Sequence, residues 1–237
     1  MEIKLYPLFE EVFVNQDLKG IFYPLCTVQI ATGEKLHFVS HNGIWTNSQS
    51  SSEQNTDSYV CFEVKEGKYT FTGDINLYQG YQDAPMIHQI LVQDFEANGI
   101  KYWKQRTTEE DYAKQVQKLL PNISSTLDVD TYIEFFYAYA LNKLVFEQTG
   151  QFGKFRQLIS SYAKAATSPY VYTIGSDTYE EILHHTTIED ELPSSIILDR
   201  YKPIGVTIGH EFFTDGNDCL LYYNTEEKIV ICVNSYS

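Results

Sequence analysis

Within the stretch from Thr107 to Ala166, the residues Tyr132, Ile133, Phe136, Tyr137, Ala140, Leu141, Leu144 and Val145 recur at intervals of three and four. That spacing lines up one face of an α-helix and predicts a helix that turns this face to the core. Asp128 or Asp130 caps its start and Gly150 marks its end. On either side of the helical stretch the period shortens to two, which predicts strands.

Taken in order, Ile3 to Phe13 fits either a strand or a short helix, and Ile21 to Ile30 is a clearer strand. Lys35 to Ser40 alternates Leu36, Phe38 and Ser40 against His37 and Val39, and the turn signal Thr32-Gly33 joins it to its predecessor as a hairpin. From Thr46 to Asp57 nearly every residue is Ser, Asn, Gln, Thr or acidic, a composition that predicts an exposed, mobile loop. Tyr59 to Val64 and Tyr69 to Ile75 form a second hairpin around Lys65-Glu66-Gly67-Lys68, with Gly67 supplying the positive-φ position.

At Asp83 the period changes to that of a helix. Met86, Ile87, Ile90, Leu91 and Phe95 share a face, Asp83 stands at the cap, and Asn98-Gly99 reads as a stop, so the helix is expected over about Ala84 to Ala97. Ile100 to Arg106 then reads as an edge strand. Thr107 or Thr108 opens a second helix, with Glu110 or Asp111 completing a capping box and Tyr112, Val116, Leu119 and Leu120 as its stripe. Beyond the long helix already described, a further one uses Phe155, Leu158, Ile159, Tyr162 and Ala166. Strands return at Tyr170 to Ile174, Ser195 to Leu198, Ile204 to Ile208, Cys219 to Tyr223 and Ile229 to Val233, interrupted by a short helix at Tyr179 to His184. The last two strands enclose Asn224 to Lys228 as an antiparallel hairpin.

These elements predict an α+β fold, with antiparallel β-rich N-terminal and C-terminal flanks around a middle layer of about four α-helices. The chain reads as a single compact unit, or as two lobes, over residues 1–237, in which 1–83 is β-rich, 84–166 helical and 167–237 mainly β. At 237 residues it buries a sizeable core without disulfide staples. Cys26, Cys61, Cys219 and Cys232 fall singly inside apolar runs, as buried reduced thiols do, with a Cys219 to Cys232 bridge as the alternative. The first twenty residues lack the basic, apolar and small-residue segments of a secretory signal, and no run approaches the roughly 20 apolar residues of a membrane span. A soluble, cytoplasmic protein without a membrane partner is the expectation.

Charge narrows the partners. The net charge is −15, and its distribution is uneven: residues 1–83 carry 5 basic and 11 acidic side chains, 84–166 carry 9 of each, and 167–237 carry 3 and 12. Nucleic acid and anionic membrane surfaces need clustered Lys and Arg, so this balance disfavours them and permits a cationic protein partner. The 19 Tyr point the same way, as a residue type favoured at interfaces.

Candidate chemistry is sparse. His210, Glu211, Asp215 and Asp218 form the densest set of possible metal ligands or acid-base groups, because imidazole and carboxylate side chains are the chemistry of zinc and calcium sites. As an EF-hand beginning at Asp215, however, the string has Leu220 where glycine is required, and His210-Glu211 lacks the second histidine of a zincin helix. Asp215-Gly216-Asn217 equally makes a polar turn between strands. His184 and His185 with Glu189, Asp190 and Glu191 read as a solvated acidic loop. Gly73 to Asn76 with Gln79 to Asp83, beside Tyr78 and Tyr81, is either a binding loop or a connector. No nucleophile elbow occurs, and Gly150 to Lys154 has the wrong glycine spacing for a phosphate loop.

No cofactor or metal is implied. The leading expectation is an acidic interaction protein that neutralises a basic partner, as an immunity protein or antitoxin does. The alternatives are a small-molecule or metal-dependent hydrolase built on the His210 to Asp218 cluster, and a structural or phage-associated assembly component.

Overall fold

The computed structural model describes residues 3–30, 32–46, 55–121, 126–150, 171–172, 200–207, 212–213 and 218–235. The ambiguous N-terminal segment holds both predicted elements, strand β1 (Ile3–Leu5) and a single helical turn, α1 (Phe9–Val12). Strands β2 (Tyr23–Gln29) and β3 (Lys35–Ser40) form the expected hairpin, and β1 adds to β2, giving a three-stranded antiparallel sheet in the order β1-β2-β3. Strands β4 (Tyr59–Lys65) and β5 (Lys68–Phe71) are joined through Glu66 and Gly67, both at positive φ. Two consecutive positive-φ residues are what a tight hairpin turn of matching twist requires.

Three α-helices follow: α2 (Ala84–Gln105), α3 (Glu109–Val116) and α4 (Val129–Thr149). After them come β6 (Val171–Tyr172), β7 (Lys202–Thr207), β8 (Asp218–Asn224) and β9 (Ile229–Ser235). The fold is thus α+β, with antiparallel strands in both flanks and four α-helices among the described residues. The flanks are also joined: β4 pairs with β9, so strands from both ends build one six-stranded sheet in the order β5-β4-β9-β8-β7-β6.

Alternation along the strands of this sheet buries both of its faces. Val60, Phe62, Cys219, Leu221, Tyr223, Val230 and Cys232 belong to the main core, whereas Tyr59, Cys61, Leu220, Tyr222, Ile231 and Val233 form a second cluster. Burial on both sides explains why β8 and β9 read as nearly continuous apolar runs.

The edge strand β3 lies against the large sheet. The Tyr69 hydroxyl accepts from the His37 amide at 2.6 Å and donates to the His37 carbonyl at 2.8 Å. The Cys219 and Cys232 thiols point at the Val39 and His37 carbonyls, at 3.4 and 3.7 Å. All four cysteines are buried and free, and Cys219 sits diagonally from Cys232 rather than opposite it.

Several expectations are corrected. Helix α2 runs through Asn98-Gly99 to Gln105 and ends at Arg106 in the left-handed region, so no edge strand exists at 100–106. The Asn98 amide bonds back to the Asp94 carbonyl and carboxylate, which satisfies it inside the helix. Gly99 makes room for the Phe95 ring, which a Cβ would meet at 2.8 Å. Of the expected mobile loop, residues 47–54 lie outside the described residues, and its ends are pinned rather than exposed: Thr46 and Asn55 are buried, Asp57 accepts from the Thr46 hydroxyl at 2.7 Å, and Asn55 exchanges two hydrogen bonds with the Asp74 backbone. Most of the described tyrosines lie in the interior. Tyr59, Tyr69, Tyr78, Tyr112, Tyr132, Tyr137 and Tyr223 are fully buried. The predicted helices at 155–166 and 179–184 and the strand at 195–198 lie outside the described residues.

His37 and His41 are built into the core as neutral rings, and half-buried His88 packs beside it. His37 Nε2 faces the Gly67 carbonyl at 2.8 Å, which only accepts, so this nitrogen carries the proton and Nδ1 accepts from Thr27. His41 repeats the arrangement, with Nε2 on the Asp57 carbonyl and Nδ1 taking the Asn234 amide. Burial lowers the pKa of His37 to about 4 and that of His88, on α2, to about 4, and it lowers His41 as well. In the unfolded chain these rings titrate near 6.5, so between about pH 6.5 and 4 the unfolded state binds more protons. Stability is therefore full above that window and is lost as pH falls through it. Urea midpoints should drop between about pH 7 and pH 5, and an unchanged midpoint would contradict neutral burial of these rings.

Candidate functional site

The predicted cluster falls largely outside the described residues. Asp218 is the half-buried first residue of β8, paired with Ser235, while His210, Glu211 and Asp215 lie outside the described residues. Among the described residues no group of three or more His, Cys, Asp or Glu is placed to hold a metal ion. The second predicted cluster, His184 to Glu191, also lies outside them. The 73–83 segment is described, and its polar groups satisfy one another: Asp74 accepts from the Asn76 backbone and side chain, Tyr81 donates to Asn76, and Gln82 donates to Tyr81. That closure is the behaviour of a connector.

Two other features stand out. The first is an acidic end formed where α3 and α4 begin. The Thr108 hydroxyl caps α3 by accepting from the Asp111 amide, and Asp128 caps α4 by accepting from Thr131. Glu109, Glu110 and Asp111 fill the first turn of α3 and Asp130 the first turn of α4. Carboxylates there complement the positive helix ends. Buried Tyr137 of α4 donates to the Thr107 carbonyl at 3.0 Å and stacks on Tyr112 of α3, which brings the two beginnings together.

Glu134 does not share that compensation, because it stands in the second turn of α4. Its pKa is raised, first by partial desolvation and then by Asp130, Glu109, Asp128 and Glu110. Lys114 answers part of the charge through its ion pair with Glu110 at 2.6 Å. Counted as a block, residues 84–166 are electrically neutral, yet six of the block's nine acids gather at this end. The block sum concealed them; the capping signals at Thr108 and Asp128 were the available clue.

The second feature is a groove between α2, α4 and the N-terminal loop, formed by two adjoining cavities of about 360 and 440 Å³. Both are lined by Tyr23, His88, Val92, Tyr139 and Lys143. Gly20, at φ +85°, brings the loop onto α2; a Cβ there would stand 2.7 Å from the His88 Cβ and 2.8 Å from the Tyr132 hydroxyl. The Tyr132 hydroxyl holds the loop by donating to the Gly20 carbonyl at 2.6 Å, and Tyr139 holds β2 by donating to the Pro24 carbonyl at 2.6 Å. On α2, positions 85, 88, 92, 95, 96 and 99 recur at helical spacing and face the groove. The apolar stripe chosen from the sequence was the neighbouring face, so this one was missed.

Compared with protein-family models, curated proteins and solved structures, the chain matches none of them.

Glu134 tests the electrostatics of the acidic end. A carboxyl whose folded pKa is raised loses stability as it ionises, so Glu134→Gln should stabilise the protein at neutral pH. Solvent screening of this exposed group limits the gain to about 0.5 kcal/mol. The gain, read as a shift in urea midpoint at low salt, should shrink as salt is added; a destabilised variant would contradict the repulsion.

Proposed function

We propose that the protein is an acidic, cytoplasmic interaction protein whose partner is a basic protein, which it neutralises as an immunity protein or antitoxin would. The observation that carries this reading is the acidic end of α3 and α4. There Glu134 keeps a charge that neighbouring carboxylates oppose, and a cationic partner would relieve that opposition. The overall charge of −15 adds a long-range field of the same sign, which steers positively charged proteins inward and repels phosphate backbones. Among the described residues no helix is long and apolar enough to cross a membrane.

The test begins with affinity capture at low ionic strength, followed by kinetics on the recovered protein. A basic partner should associate about tenfold or more slowly when salt rises from roughly 20 to 300 mM, with a much smaller change in dissociation. The combined variant Glu109→Gln, Glu110→Gln and Glu134→Gln should slow association at low salt in the same way. Recovery of no specific basic protein, or association indifferent to both salt and the variant, would refute the proposal.

A further inference from the structure

The groove has a charge pattern that runs against the rest of the molecule. In a chain with 32 acidic and 17 basic side chains, the described lining of the 440 Å³ cavity holds Lys19, Lys143 and His88 and neither Asp nor Glu. Lys143 is drawn only weakly toward Glu147, at 3.9 Å, and Lys19 lies over the Phe9 ring at 5.7 Å. The adjoining cavity is more apolar, with Val92, Phe95, Ile100, Phe136 and Leu144 along its walls and Glu96 and Glu147 at its polar positions.

His88 stands where the two cavities meet. Its ring packs edge-on against Phe136 at 5.4 Å, and no hydrogen bond to either ring nitrogen is seen among the described residues. Burial, reinforced by Lys19, keeps the ring neutral at physiological pH. A neutral imidazole offers one donor and one acceptor, and the half-buried ring leaves both open to a bound molecule. A ligand that accepts from this ring would take the place of water there.

We propose that this groove is a binding site for a small organic monocarboxylate with an apolar body, its carboxylate set among Lys19, Lys143 and His88 and its body laid along α2 and α4 toward Phe95 and Leu144. The acid-free lining beside Lys19 and His88 fixes the orientation, because Glu96 and Glu147 line only the adjoining cavity and repel an anion there. An apolar cleft of this size with a few convergent polar groups suits a ligand of about ten heavy atoms. Gly20 and the Tyr132 hydroxyl preform the cavity by holding the N-terminal loop against α2, so little ordering is needed on binding.

The site is tested with octanoate and 3-phenylpropionate against octanol and octylamine as matched neutral and cationic probes, each titrated into the full chain and followed by NMR. The acids should give saturable shifts at His88, Val92 and Tyr139, and should bind at least tenfold more tightly than the amine. Lys19→Met and Lys143→Met, which keep the apolar stems, should each weaken octanoate by about three- to tenfold. Val92→Trp, which fills the groove, should abolish the shifts while an unchanged unfolding profile shows that the fold persists. Shifts scattered outside the groove, equal binding of amine and acid, or lysine variants that bind octanoate unchanged would overturn the proposal.

Discussion

The free edge of a small sheet has to end somewhere, and here it ends on the Tyr69 hydroxyl. Strand β3 is the outer strand of the three-stranded sheet, so the outward amide and carbonyl of His37 have no neighbouring strand to meet them. A single phenol answers both, as acceptor and donor, from the face of the six-stranded sheet. The Cys219 and Cys232 thiols extend the contact along the same edge. The His37 ring completes it through Gly67, and Glu34 at the β2–β3 turn reaches the same sheet through Lys228 and Tyr223, at 2.6 and 3.0 Å. Without these partners the burial of this edge would strand polar backbone groups, a cost of about 1–3 kcal/mol each.

The helices are fastened to that platform by the same kind of tie. Tyr132 and Tyr139 of α4 reach backbone carbonyls at Gly20 and Pro24, and Tyr137 reaches Thr107. A tyrosine suits this work because its ring contributes apolar burial while its hydroxyl satisfies a carbonyl at the far end. The ties at Gly20 and Pro24 hold the N-terminal loop against α2 and α4 and so shape the groove around His88. The tie at Thr107 sets α3 against α4 and so gathers the acidic end. Both surfaces are consequences of how the core closes.

Local pattern made much of the fold legible. The Thr32-Gly33 and Glu66-Gly67 turns, the Thr108 and Asp128 caps and the Gly150 stop all follow from residue types that act within four positions of themselves. What lay beyond such patterns was decided by distant contacts. The pairing of β4 with β9 joins segments some 170 positions apart, and alternation in each strand carries no record of its partner. Asn98-Gly99 read as a stop because its local chemistry permits one, yet packing of Phe95 and Tyr102 carries the helix through. The tyrosines suggested an interface, yet most of those described are buried in the core. For function, the sequence led to His210 and its neighbours, of which only Asp218 is described, while His88 was hidden on the face next to the expected stripe.

Amide hydrogen exchange at His37 in a Tyr69→Phe variant tests whether the Tyr69 hydroxyl holds the amide at the β3 edge. The ring remains to fill its place, so the core should persist while the His37 amide loses its partner and the His37 carbonyl keeps only the Cys232 thiol. Stability should fall by about 1–3 kcal/mol, with His37 exchanging much faster than the amides of β4 and β9, which remain paired. Unchanged protection at His37 in a stable Tyr69→Phe protein would contradict it.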